Sequence, residues 1–209
     1  MLITLASATS SSFSKEVVNV LVYPEYPPFL HNKDDVIAGL FIDIVALTLD
    51  SIAKPYKLTV IPLQRAMRMA AAGEGIVVGI VKTPERAQKL DFSKPFYQER
   101  LMVYSNINKP LPVENVEQLD GLTVGTIFGW SYGTEFDQAR LGKRFRALAG
   151  DLKTGFHLLA LGRLEAMVHA ERSSRFIIQR DNYQSLLKAN SKPFHYADIH
   201  IAVGKNSFL

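Results

Sequence analysis

Two successive runs of alternating strand and helix patterns, separated by a proline-bearing break, constrain this chain more than any other feature. Residues 17–23 (VVNVLVY) read as a buried strand, stopped by Pro24 and the Pro27-Pro28 pair, which force an extended loop. After Gly39, residues 40–53 form an almost wholly apolar segment, as a helix packed against a sheet requires. A strand over 57–62 follows. The next helix, 63–72, places Leu63, Ala66, Met67, Ala70 and Ala71 on one face and ends at Gly73. Strands over 76–81 and 101–105 complete the first run. Residues 106–112 hold two prolines and no periodicity, and are expected to connect two lobes.

The pattern then restarts. Residues 122–127 read as a strand, 129–133 as a glycine-flanked turn, and Thr134 to Asp137 as a capping box that opens a helix. Strands follow at 145–148 and 165–169, helices at 154–161 (closed by Gly162) and 171–179, and a last strand at 195–203. This is an α/β pattern with two lobes, each a mostly parallel sheet flanked by helices. The expected division is 17–106 plus 196–209 for lobe 1 and 107–195 for lobe 2. Ligands of such folds bind at the carboxyl ends of the strands, here the cleft between lobes.

Composition narrows the function classes. The chain is 47% apolar and 21% charged, the profile of a folded globular protein. It contains no cysteine, which excludes disulfides, thiolate metal sites and cysteine nucleophiles. The net charge of +4 comes from scattered residues, not from the basic stripe of a nucleic-acid binder. His169-Ala170-Glu171 has the H-x-E spacing of zinc deaminases but lacks their cysteine half. No H-E-x-x-H, G-x-S-x-G or P-loop motif occurs, so no metal, no cofactor and no catalysis are expected. Residues 1–16 read either as the remnant of a secretory signal ending near Ala6-Ser7-Ala8 or as a disordered tail.

One segment carries chemistry. In Val81-Lys82-Thr83-Pro84-Glu85-Arg86, Thr83 suits an N-cap and Pro84 the first helical position. Arg86 then lies in the first turn, where the helix dipole disfavours a cation. Its fork of donors fits bidentate capture of a carboxylate; a surface arginine in a loop is the competing reading.

These residues resemble the bacterial extracellular solute-binding proteins of family 3. The landmarks are Tyr26-Pro27-Pro28-Phe29, Gly39-Leu40-Phe41-Ile42-Asp43, Thr83-Pro84-Glu85-Arg86, Asp91 to Tyr97, Leu119 to Gly125, and Gly162-Arg163-Leu164-Glu165-Ala166, in the family's order over about residues 17–205. The resemblance implies a two-lobed, type II-like periplasmic binding protein fold, monomeric and periplasmic. It implies hinge closure on a small carboxylate-bearing solute, most simply a polar amino acid, for delivery to an ABC transporter permease. Tyr26 and Phe29 would wall the ligand, and Arg86 would hold its carboxylate. Backbone N–H groups of the Gly129–Tyr132 turn would share that carboxylate, with Ser131 adding a hydroxyl and Trp130 stacking on the ligand. Glu171 would meet its ammonium group.

The chain departs from the family pattern at Val81, where a Ser or Thr is common, at Trp130, at Gly75 and at the longer Glu171. Members also usually continue beyond the equivalent of Val203 with one or two helices, whereas this chain stops at Leu209. Two alternatives share the fold: a sensor domain, and a dehydratase-like enzyme for which Glu171 is the candidate general acid.

Overall fold

The computed structural model describes residues 17–23, 25–33, 36–205 and 207; the expected signal remnant or tail (1–16) and Pro24 lie outside them. In chain order the strands of the first half are β1 (Val18–Val22), β2 (Glu25–Tyr26), β3 (Leu30–Lys33), β4 (Val36–Ala38), β5 (Tyr56–Val60), β6 (Ile76–Val81), β7 (Leu90–Phe92) and β8 (Tyr97–Asn106). Between them lie helices α1 (Leu40–Ser51), α2 (Leu63–Ala71) and α3 (Pro84–Ala87). The second half adds β9 (Thr123–Ile127), α4 (Thr134–Leu141), β10 (Arg146–Gly150), α5 (Leu152–Ala160), β11 (Ala166–Ala170), α6 (Glu171–Arg180), β12 (Leu187–Ala189) and β13 (His195–Gly204).

The two halves repeat one topology. β1 lies between β5 and β6, parallel to both, and β9 lies between β10 and β11, again parallel to both. The largely buried runs β1 (VNVLV) and β9 (TVGTI) hold these central places, because a parallel strand flanked on both sides and covered on both faces has little access to solvent. Each parallel trio is extended by antiparallel strands, so the sheet is mixed.

Two ten-residue strands join the halves. Residues 97–101 of β8 pair antiparallel with 195–199 of β13. Beyond that ribbon β8 runs into the second half, against β11 and β12, while β13 runs into the first, against β6 and β7. The change of partners therefore falls at Leu101 in β8 and at Ile199 in β13, inside the strands. The proline-bearing segment after residue 106 is not where the chain passes between halves. Between the two switches the halves are joined by a two-stranded ribbon.

Several local readings are corrected. The loop expected around Pro27-Pro28 is part of a small antiparallel sheet of β2, β3 and β4, with a cis peptide bond at Pro27-Pro28. Thr134 is not an N-cap: Gly133 takes that place, and Asp137 is drawn into the preceding turn instead. The helix expected from 154 starts at Leu152, because Asp151 accepts the Thr154 N–H at 2.8 Å. α1 buries one face (Phe41, Ile42, Val45, Leu49) and leaves Leu47 exposed. No described helix is long and apolar enough to cross a membrane.

Candidate functional site

The site is built from Arg86 outward. Thr83 caps α3 by accepting the Arg86 N–H at 3.1 Å, which fixes the backbone from which the side chain departs. The guanidinium turns away from the helix. Nη1 donates to the Val81 carbonyl of the same half (2.7 Å), and Nη2 donates to the Gly129 carbonyl of the other half (3.0 Å). Burial lowers the Arg86 pKa from its usual value, although a guanidinium stays charged at neutral pH. The carbonyls it holds are neutral acceptors, so a part-buried positive charge spans the two halves without a salt bridge to any described carboxylate, although Asp137 and Glu85 lie close enough to favour it. Tyr23, whose hydroxyl donates to the Gly79 carbonyl, lies close enough to feel the Arg86 charge.

The opposing turn is rigid. Asp137 accepts from the Ser131 hydroxyl and from the Tyr132 N–H, and pairs with Arg140 at 3.0 Å. Arg140 also donates to the Trp130 carbonyl at 3.2 Å, and the buried Tyr132 hydroxyl accepts the Ile127 N–H. Gly129 has φ +80°, and a Cβ there would approach Gln64 Cγ of α2 to 3.1 Å. Glycine thus lets the second half come close to the first at this point. The N–H groups of Trp130 and Tyr132 are bonded within the turn, to the Ile127 carbonyl and to Asp137. The carbonyls of Gly129 and Trp130 are the groups presented to arginines.

Aromatic side chains fill the space between the halves. Tyr26 lies edge-on to Trp130 (ring centroids 4.7 Å apart) and beside Phe29 (5.1 Å), which stacks on Phe41. Trp130 stacks on His169 at 4.6 Å. Tyr26 and Phe29 are each only 1% exposed. Phe29 thus backs Tyr26, and Trp130 covers it from the second half. The indole packs against both hydrophobic clusters of the molecule, the large one under β1 and β6 and the smaller one around Phe156 and Met167. Beside this layer, a cavity of about 1070 Å³ is lined by Gln64, Met67 and Arg86 of the first half and Phe128, Trp130 and Arg140 of the second.

Of the six residues singled out from sequence, Tyr26, Arg86, Trp130 and Ser131 converge on this interface, with Phe29 behind Tyr26. Glu171 stands apart. It is the first residue of α6, and its carboxylate pairs with Arg100 (3.2 Å) and Arg175 (3.0 Å). It lines a separate cavity of about 510 Å³ together with Tyr97, Glu99 and Arg172.

Two residues escaped sequence reasoning. Glu99, in the ribbon segment of β8, is 1% exposed and accepts from the Tyr26 hydroxyl at 2.7 Å and from the Arg100 N–H at 3.2 Å. Burial pushes its carboxyl up to about 7, despite the opposing pull of those hydrogen bonds. His169, at the end of β11, is fully buried, and burial lowers its pKa to about 3, leaving the ring neutral. Strand parity was the available signal for Glu99: it shares a face with the buried Leu101 and Val103, although its neighbours Gln98 and Arg100 look solvent-facing.

The same fold recurs in solved structures. An ancestral arginine-binding protein bound to arginine superposes with a TM-score of 0.79 at 18% identity, over 91% of this chain and 85% of that one. A histidine kinase sensor domain with similarity to periplasmic binding proteins gives 0.81 at 18% identity, over 91% and 83%. The GluR0 ligand binding core in complex with L-glutamate gives 0.78 at 18% identity, over 94% and 88%. At such identities these likenesses establish the architecture alone. A sequence model extends the match to most of the chain, residues 18–198, and the chain belongs to the bacterial extracellular solute-binding proteins, family 3.

Proposed function

We propose that this solute-binding protein captures a small carboxylate-bearing solute, an amino acid or a related acid, by closing its two lobes around it. The observation that carries the reading is the Arg86 fork. It is part-buried, positively charged, rooted in one lobe, and within hydrogen-bond distance of the other. Neutral carbonyls satisfy its donors but not its charge, whereas a carboxylate would satisfy both. A ligand bridging Arg86 and the Gly129–Tyr132 turn stabilises only the arrangement in which both are close. Binding therefore favours closure by differential affinity, with no bond made or broken. Tyr26 and Trp130 would enclose the ligand's body, Phe29 would support Tyr26, and Ser131 would act through the Asp137-held turn.

Delivery of the closed form, as a periplasmic monomer, to the permease of an ABC transporter completes this reading. The histidine kinase neighbour supports a second one, in which the same closure is the input of a sensor.

A thermal-shift screen against amino acids and small carboxylic acids, run on the parent protein and on Arg86→Ala, tests the proposal. A ligand present at a hundred times its Kd adds about 2.7 kcal/mol of stability. A shift in the parent that vanishes in Arg86→Ala is the expected result. Equal shifts in both proteins would overturn the assignment of Arg86.

A further inference from the structure

Arg86 is one of the groups lining the large interlobe cavity, and its companions there restrict what a captured carboxylate can carry. The charge of the lining is positive. Arg68, Arg86, Lys89 and Arg140 face the cavity against two acidic side chains, Glu85 and Asp137. Asp137 is committed within the second half, paired with Arg140 and accepting from Ser131 and from the Tyr132 N–H. Glu85 is exposed, in the first turn of α3, where the helix dipole suits it.

An α-amino acid brings its ammonium group on the carbon next to the carboxylate. With the carboxylate on Arg86, that group would lie beside acceptors already in use. The Val81 and Gly129 carbonyls accept from Arg86 itself, and the Trp130 carbonyl accepts from Arg140. Each of these acceptors therefore faces a guanidinium, and a second cation placed there meets like charge in a part-buried setting. A carboxylate without an ammonium neighbour meets no such opposition.

Apolar groups from both halves face the same space. Met67, Ala71 and Ala72 come from α2 and the residue that caps it, Phe128 and Trp130 from the turn after β9. Gly129 brings that turn against Gln64 of α2. Phe128 is 61% exposed and packs into neither hydrophobic cluster of the molecule. A large ring left out of the core, on a wall shared with Met67 and Trp130, is an apolar surface available to a ligand. At about 1070 Å³ the cavity matches sites that hold drug-sized ligands, roughly 300–1,000 Å³.

We propose that this cavity takes a carboxylic acid with an extended apolar body and no ammonium group beside the carboxylate. Its anionic end sits on Arg86 and its body lies along Met67, Phe128 and Trp130. This ligand class rests on the carboxylate-capture reading above and narrows it from amino acids to their apolar, amine-free relatives. Affinity then grows with the length of the buried body, by about 2- to 4-fold per methylene.

Calorimetric titration at neutral pH with butanoate, hexanoate, octanoate, L-2-aminooctanoate, L-arginine and L-glutamate tests the assignment. The proteins are the parent, Phe128→Ser, Glu85→Gln and Arg86→Ala; Phe128 and Glu85 are exposed, so their replacement leaves the core intact. In the parent, affinity should rise about 2- to 4-fold per methylene from butanoate to octanoate, and octanoate should bind at least about 10-fold tighter than L-2-aminooctanoate. Phe128→Ser should weaken octanoate about 5-fold while leaving butanoate within about 2-fold. Glu85→Gln should keep the preference for octanoate, and Arg86→Ala should abolish binding of the whole series. The apolar-acid assignment is overturned, with carboxylate capture intact, if Arg86-dependent binding is flat across the alkanoates or is tightest for an amino acid. It is equally overturned if L-2-aminooctanoate outbinds octanoate in the parent and loses that advantage in Glu85→Gln, which would make Glu85 an ammonium partner. If no probe shows Arg86-dependent binding, the capture reading falls and the apolar-acid assignment falls with it.

Discussion

Arg86 and Glu171 look alike in the sequence, each a charged residue near the start of a helix and each suited to one pole of an amino acid. Their surroundings make them opposites. Arg86 is part-buried, bonded to neutral carbonyls of both lobes, and forms no salt bridge with a described carboxylate, Asp137 and Glu85 acting on its charge only from a distance. Glu171 lies beside two arginines whose charges cancel its own. A helix-start acid is stable where it stands because of the macrodipole and its ion pairs, and needs no ligand. A part-buried guanidinium that forms no salt bridge is the more telling group, since a ligand carboxylate can still pair with it.

The largest expected effect follows from this contrast. Arg86→Ala should weaken binding of a carboxylate ligand at least about 100-fold, because a buried charge-assisted bidentate contact is lost; calorimetric titration measures it. A loss below about 3-fold would put Arg86 on a level with Glu171 and dissolve the contrast.

Trp130→Ala removes the indole that packs against both hydrophobic clusters, and should cost about 2–4 kcal/mol in chemical denaturation. As the chain's single tryptophan, Trp130 should also report ligand entry by a change in intrinsic fluorescence. A loss under about 1 kcal/mol would mean that the aromatic layer contributes little to holding the lobes together.

The pH dependence of stability sharpens the comparison further. His169 is neutral in the folded protein down to about pH 3, while its unfolded form charges near 6.5, so its contribution rises with pH between those values. Glu99 acts in the opposite sense: its folded carboxyl holds a proton up to about pH 7, so stability falls as pH climbs from about 4.5 to 7. Glu99→Gln should remove that fall, leaving a flatter profile above pH 6.5 in urea midpoints measured across the range. An unchanged slope would show that Glu99 is already ionised in the folded state.

The smallest effect is expected at the exposed end of the contrast. Glu171→Gln should change ligand affinity by less than about 3-fold and stability by about 0.5 kcal/mol, the scale of partly exposed ion pairs. A 100-fold loss of affinity would instead return the ammonium site to Glu171.

The fold was legible because hydrophobic period is a local property. The largely buried run 18–22, the fully buried run 166–170 and the capped start at Thr83 are each set by residues adjacent in sequence. What crosses the molecule was hidden. The switch of partners inside β8 marks the chain only as a change of pattern, from alternation over 97–100 to continuous burial over 101–105, which does not say which strands lie beside either part. The β2–β3–β4 sheet was masked by prolines that serve its turn. Within the site, Arg86, Tyr26 and Trp130 could be named from side-chain chemistry alone. The pairing of Glu171 with Arg175, one turn along α6, is visible on the chain, but its pairing with Arg100 of β8 is not. The neighbours of Glu99 on the chain are polar, but those in space are aromatic.

The central claim is that a ligand held by Arg86 closes two lobes about the β8–β13 ribbon. Because the chain contains no cysteine, spin labels can be placed at Arg68→Cys in α2 and Leu141→Cys in α4, on opposite lobes at the mouth of the large cavity. Double electron–electron resonance with and without the acid that raises the melting point most is the direct measurement. Ligand should narrow the distance distribution and move it to shorter values, and Arg86→Ala should abolish the change. An identical distribution in the free and saturated protein would contradict it.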